Sequence, residues 1–475
     1  MSISRRLGLS AAALLFASPL AAHEPQASQA EIEAQMPPLV QFIGEEDERP
    51  TLEERRAQLG IHGLSLAFFR AGELAWADAY GEDVDTDTLF QAASLSKPVA
   101  AAGIIALAAE HGVALDADIS ADLAGLDLAR VNPEGLPITL RGLLSHTSGA
   151  GVSGFPGYRT DAPLPTTLQV IEGSEPANTE TVVLSSERAG GMHYSGGGYT
   201  IAQYWAEQVS GEEFPALMRR LVLDPLGMER SLFAALPPEA LPRDNVARAH
   251  YPFGTMAPGG WHAYPEHAAA SLWSTPREYG RFALALVKAL GGDAHAGIAP
   301  ETARAMASPV GEGYGLGLGV EVLDDGTLRI GHSGSNMGFK ANFGAFAGSG
   351  DAFVAMTDTA NGWVLLSEVG RSAAAAYGWP AQAIVERERL PASDQEMERL
   401  AGRYQMEGGV GPVVTIAPAG KGEMRGALPN GRTFRLVRIG EDRWIDPEDA
   451  QEIVFAPDAE GRMTVRQDES VFIRQ

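Results

Sequence analysis

Ser94-Leu95-Ser96-Lys97 sets a hydroxyl and an amine three residues apart. On a helix such residues share a face, so the two side chains meet. A serine hydroxyl attacks a carbonyl only when a base takes its proton. A lysine serves as that base when its surroundings keep the amine neutral; arginine, always charged, does not. Of 36 basic residues only Lys97, Lys288, Lys340 and Lys421 are lysine, and the rest are arginine. Where this chain needs only a cation it uses arginine, so Lys97 marks a position that needs a titratable amine. No other serine has lysine three residues on. The same four residues also read as a serine capping a helix with an incidental lysine in its first turn, so the chemical reading leans on what surrounds it.

Two further segments supply surroundings. Tyr194-Ser195-Gly196 opens a glycine run, Gly196 to Gly198, ahead of a helix predicted from Tyr199 to Val209. A phenol beside a lysine can act as general base, and glycines let a substrate approach the backbone closely. Gly331-His332-Ser333-Gly334-Ser335 begins a strand pattern. An inner strand edge there would offer a backbone N–H to an oxyanion. Taken singly, each segment also fits a plain structural role, a connector with a packing tyrosine or a strand entering a bulge.

In this order, Ser-x-x-Lys, Tyr-x-x and His-x-Gly, the chain resembles the penicillin-recognising serine hydrolases. The resemblance is to the branch of class C β-lactamases, D-alanyl-D-alanine carboxypeptidases, D-aminopeptidases and family VIII esterases. Phe90-Gln91-Ala92-Ala93-Ser94, Leu143-Leu144-Ser145-His146-Thr147-Ser148-Gly149, Asp224-Pro225-Leu226-Gly227-Met228, Ser271-Leu272-Trp273-Ser274-Thr275 and Tyr314-Gly315-Leu316-Gly317 are similar to segments of that family. The similarity runs over about residues 50 to 380. It implies an antiparallel sheet flanked by helices beside a helical subdomain, with Ser94 at the start of a central helix. It also implies roles: Ser94 attacks the carbonyl, Lys97 and Tyr194 handle the proton, and the N–H groups of Ser94 and Ser335 hold the oxyanion. His332, Ser333, Gly334 and Gly196 would line the substrate side.

Two positions depart from the β-lactamase pattern. His332 stands where lysine binds a substrate carboxylate, and histidine is mostly neutral near pH 7. Gly196 stands where asparagine hydrogen-bonds the substrate amide and orients the lysine. Small esters or amides are therefore expected ahead of β-lactams. A true β-lactamase or carboxypeptidase is the alternative, and a non-catalytic binder of cell-wall fragments a second.

The elements that must position these groups are legible in part. Leu64–Phe69 and Leu74–Ala77 read as strands around a turn at Ala71-Gly72. A helix from Ser94 to about His111 stops at Gly112, and Arg277–Leu290 is helical. Leu328–Ile330 and Asn342–Asp358 alternate like strands. Pro380, Pro391 and Glu386-Arg387-Glu388-Arg389 mark a boundary. Beyond it, Val413–Ile416, Phe434–Val437, Ile453–Phe455 and Val471–Ile473 are short apolar runs of a small antiparallel, lipocalin-like β domain. The expected class is α+β. The expected plan is a signal peptide over 1–22, a mobile lead-in over 23–50, a catalytic domain over 51–380, a linker over 381–398 and a β domain over 399–475.

Arg5 and Arg6, the apolar run Leu7–Ala17 and Ser18–Ala22 predict export to the periplasm or medium. No later segment is long and apolar enough to span a bilayer. Net charge is −25, which argues against nucleic acid and anionic membranes and leaves a small molecule or peptide as the partner. With no cysteine, disulfides and thiol chemistry are excluded. No Gly-x-Ser-x-Gly elbow occurs, since Gly331–Ser335 fails at its fifth position. The ten histidines are scattered without His-Glu-x-x-His, and His262, Glu266 and His267 do not match a known ligand spacing. No metal or cofactor is expected. His146 is read as a structural histidine bonding a loop.

Overall fold

The structure, a computed structural model, describes residues 29–45, 49–237, 245–251, 255–380, 384–407, 413–429, 433–448, 450–467 and 470–475. The expected signal peptide lies outside them.

A six-stranded antiparallel sheet runs in the order Glu73–Tyr80, Leu64–Arg70, Asp351–Thr357, Phe339–Ala347, Leu328–Asn336, Gly319–Val322. Its two N-terminal strands thus pair with a block contributed more than two hundred residues later, and the intervening chain folds beside it. Strand periodicity explains why both faces are covered. Along Leu64–Arg70, Ala67 and Phe69 enter one core, whereas Leu64, Leu66 and Phe68 enter the other. The first core lies under the Pro276–Leu290 helix, whose Gly280 leaves room for the Phe69 ring: a Cβ there would lie 1.9 Å from the ring. The second lies under the Trp363–Tyr377 helix. The Ser96–Glu110 helix is buried along nearly its whole length, so it reads as apolar all round rather than amphipathic.

The C-terminal unit is a closed barrel of eight antiparallel strands in sequence order, Gly402–Met406 to Ser470–Arg474. Tyr404, Met424, Leu436, Trp444 and Phe455 fill its interior. The four apolar runs read from sequence are four of its strands. The others were not legible: Glu423–Ala427 and Met463–Gln467 carry charge, and Arg443–Ile445 has three residues.

Two expected boundaries need correction. The mobile lead-in over 23–50 does not describe residues 29–45. Ile32 and Met36 are buried against the Trp363–Tyr377 helix, and Val40–Phe42 pairs in parallel with Val385–Arg387. Val40 and Phe42 also pack on Val437 and Ile445, so this segment clasps the barrel to the body. Nor is 381–398 a plain linker. It contains that paired strand and the start of the Asp394–Leu400 helix, which places Met397 and Leu400 in the barrel core. Acidic, proline-containing composition hid apolar residues that are few but buried.

Candidate active site

The chain approaches Ser94 on the short strand Phe90–Ala93, which pairs with Leu272–Ser274. Ala93 is turned to φ +52°, a conformation that costs a non-glycine residue energy and is held by its surroundings. Ser94 then sits in a tight turn, and the helix starts two residues later than expected, at Ser96. The Ser96 hydroxyl locks this turn: it donates to Ala93 O (2.6 Å) and accepts from Leu272 N–H (2.9 Å). Tyr279 donates to Leu95 O at 3.0 Å.

Lys97, 2% exposed, donates through Nζ to Ser94 Oγ at 2.9 Å and to Ala269 O at 2.8 Å. Two acceptors and two aromatic faces surround the amine, with the Tyr194 ring centre 5.0 Å and the Tyr199 ring centre 5.7 Å away. Tyr194 thus lies beside the pair. It faces Lys97 with its ring, and no hydrogen bond joins its phenol to Ser94 or Lys97.

The glycine run is not a connector. Gly196, Gly197 and Gly198 form the first turn of the Gly196–Ser210 helix, capped by the Ser195 hydroxyl, which accepts from Gly198 N–H at 2.9 Å. The N–H groups of Gly196 and Gly197 are taken by Ser153 O and Val152 O, so this helix start is closed to an anion. The loop donating those carbonyls also explains Gly196. A Cβ there would lie 2.8 Å from Phe155 Cε2. Half-buried Phe155 occupies the side-chain space at position 196.

Gly331 to Ser335 lies within the nine-residue strand Leu328–Asn336, in unbroken register with Phe339–Ala347, and makes no bulge. Gly334 is pressed against the nucleophile turn, its would-be Cβ 2.4 Å from Ala92 O and 3.1 Å from Ser94 N. That brings Ser335, which is exposed, alongside Ser94. Ser333 is exposed too. Asn336 fixes the strand's far end by donating to Gln91 Oε1 and Ala270 O.

His332 Nε2 accepts from Tyr314 OH at 2.9 Å while Nδ1–H donates to Ser333 O. His146, at φ +62°, accepts the Ser195 N–H on Nδ1 at 3.0 Å and packs its ring on Tyr194 and Tyr314. It is the loop-bonding histidine the sequence suggested. Burial, with Lys97 nearby, pushes His146 down to about 2 and His332 to about 3, so both imidazoles stay neutral. The segments flagged in sequence thus converge, apart from Asp224–Met228, which packs elsewhere. Tyr314, Tyr199 and the Ala269 carbonyl were not singled out. Of these only Tyr314 stood inside a recognised segment. Two aromatic segments that read in the sequence as candidate pocket walls, 149–165 with Phe155 and Tyr158 and 251–265 with Trp261 and Tyr264, meet through the paired residues Tyr158–Arg159 and His262–Ala263. Tyr158 and Tyr264 are buried, so they pack rather than line a cleft.

These buried groups predict acid lability. Above about pH 6.5 an imidazole is neutral folded or unfolded and contributes nothing. Below it only the unfolded chain takes the proton. His146, 1% exposed, then destabilises the fold by up to about 1.4 kcal/mol per pH unit, and half-buried His332 and His267, the latter held down near 4 by desolvation, each add less. Glu266 acts oppositely: buried, and raised to about 8, it keeps a proton that the unfolded chain releases above about 4.5. Glu207 and Glu368, raised by burial, and His62, raised by its bond to Asp358, act oppositely as well, so the imidazole effect is read against a variant. Urea unfolding is expected to show His146→Asn losing about 1 kcal/mol less stability than the parent chain between pH 6.5 and 5.5.

The turn carrying Ser94, wedged between an antiparallel sheet and a helical subdomain with Lys97 beneath it, fits the β-lactamase/transpeptidase-like architecture. The chain belongs to the β-lactamase-related serine hydrolase family: the family model described as Beta-lactamase matches residues 49–377. Esterase EstB of Burkholderia gladioli is 28% identical over 202 residues, which are 40% of this chain and 50% of the esterase. The octameric penicillin-binding protein homologue from Pyrococcus abyssi superposes with a TM-score of 0.60 at 20% identity, covering 89% of this chain and 98% of the homologue. D-amino acid amidase from Ochrobactrum anthropi SV3, complexed with D-phenylalanine, gives 0.55 at 21% identity, covering 68% and 96%. These two structures share the fold.

Proposed function

We propose that the chain is an exported serine hydrolase that forms an acyl-enzyme on Ser94 from small esters or amides. The 2.9 Å contact between Lys97 Nζ and Ser94 Oγ carries the proposal. Ser94 Oγ attacks the carbonyl carbon as Lys97, with Tyr194, accepts its proton and passes it to the leaving group. The N–H groups of Ser94 and Ser335 receive the oxyanion. Water then attacks the acyl-enzyme along the same path. The basic and apolar start of the chain supports export.

Substrate preference follows from His332 and Gly196. A neutral imidazole held by Tyr314 offers no fixed charge to a carboxylate. Phe155 replaces a polar side chain with an apolar wall at Gly196. A lost hydrogen bond costs about 1 kcal/mol, and one to a charged group about 1.5–3, together roughly 100-fold against β-lactams. Two of the similar proteins, an esterase and a D-amino acid amidase, agree with that preference. Purified protein is assayed on p-nitrophenyl acetate, D-phenylalanine amide and nitrocefin. The ester or amide is expected to exceed nitrocefin in kcat/KM. Nitrocefin turnover near the diffusional range, or covalent labelling with no turnover of any substrate, would overturn the reading.

A further inference from the structure

Three residues far apart in sequence converge where the Leu64–Arg70 strand begins. His62 Nδ1 lies 2.9 Å, and His250 Nδ1 3.5 Å, from the same oxygen, Asp358 Oδ2. All three atoms lie within 4.8 Å of one another. Metal–ligand bonds of about 2.0–2.1 Å in a tetrahedral zinc site put neighbouring ligand atoms about 3.3 Å apart. The observed separations from the carboxylate bracket that value.

The cluster is built, not incidental. Asp358 is fully buried. Its Oδ1 is already committed, accepting from Gly63 N–H at 2.7 Å and Thr359 Oγ1 at 3.2 Å, and this turns Oδ2 toward the imidazoles. Such outer contacts orient metal-binding carboxylates. Gly63 cannot carry a side chain, because a Cβ would lie 2.9 Å from Oδ2 and 2.8 Å from Val84. Backbone bonds fix the other partners: His62 N–H donates to Thr359 Oγ1, and His250 N–H to Asp358 O. His250 is 6% exposed, yet its Nδ1 makes no hydrogen bond. A buried ring nitrogen left outside hydrogen-bond geometry beside a buried carboxylate is a position at which one cation would engage both.

We propose that His62 Nδ1, His250 Nδ1 and Asp358 Oδ2 bind one divalent transition cation of the zinc class, with water completing the shell. Two imidazoles and one carboxylate suit such an ion better than calcium or magnesium, which prefer all-oxygen shells. The rings now stack at 4.0 Å and 19°. A cation must lie near the plane of each ring, so binding fans them apart, and His62, with 30% of its side chain exposed, is the ring that turns. The ion would pin the start of one central strand, the end of its neighbour and the segment carrying His250. That segment abuts Gly338, in the turn just after Ser335 and Asn336. The sequence offered no hint of this, because the ligands share no local spacing.

The test uses the untagged full-length chain, stripped with chelator and then titrated with Zn2+ by calorimetry and with Co2+ by visible absorption. One ion per chain is expected, with the visible bands of a low-coordinate Co2+ site and a thermal midpoint that rises with Zn2+. His62→Ala should weaken binding at least about tenfold and abolish the bands. His250→Asn should do the same, and partly exposed His62 keeps the test decisive if that buried variant fails to fold. Absence of saturable binding below millimolar Zn2+ or Co2+, or unchanged binding in His62→Ala, would overturn the proposal.

Discussion

Ser94→Ala is expected to abolish labelling by a fluorophosphonate and to lower kcat/KM on p-nitrophenyl acetate by at least about 10⁴-fold. The fold should barely notice. Among the described residues the hydroxyl accepts one hydrogen bond, from Lys97, which keeps its second acceptor, Ala269 O. Losing it costs about 1 kcal/mol. The neighbouring serine gives the contrast. Ser96 is fully buried and links Ala93 O to Leu272 N–H. Ser96→Ala leaves a buried donor unpaired, so it should cost about 1–3 kcal/mol of stability while retaining the nucleophile and its labelling. Two serines two residues apart thus separate chemistry from architecture. Labelling that survives Ser94→Ala would discard Ser94 as nucleophile.

What sequence revealed divides along one physical line. Side chains that act through local spacing were legible. Ser94 and Lys97 meet because they sit one turn apart, and Leu64–Arg70 shows its strand through alternation. What depends on distant chain segments was not. Nothing near Gly196 says that Phe155 fills its side-chain space, because that contact is made by a loop forty residues away. Nothing near Lys97 announces the Ala269 carbonyl. The glycine run misled in another way: glycine is a poor helix former, yet the Ser195 cap and two loop carbonyls hold Gly196 to Gly198 helical. The lead-in misled through composition, since a handful of buried apolar residues outweighs an acidic average. Long-range closure also hid the barrel, in which a three-residue strand such as Arg443–Ile445 exists only through its neighbours.

Replacing Lys97 tests the base rather than the nucleophile. Lys97→Arg puts a permanent cation where a base is needed, because a guanidinium stays protonated at every accessible pH. Lys97 is 2% exposed and enclosed by Ser94, Ala269 and the rings of Tyr194 and Tyr199. The larger guanidinium overpacks this space at about 1–3 kcal/mol. Lys97→Met is therefore the companion, since it is close in volume and has no base. Both variants should stay folded and lose about 10²–10⁴-fold in kcat. Because no replacement titrates at this position, the loss should persist from about pH 6 to 9 rather than recover as the pH rises. Ser94 remains in place, so slow labelling by a strong fluorophosphonate electrophile should survive in both, unlike in Ser94→Ala. That combination, a nucleophile present but unassisted, is the signature expected of a lysine base. Near-normal turnover by folded Lys97→Arg would show instead that the proton leaves Ser94 by another route, with Tyr194 the remaining group beside it.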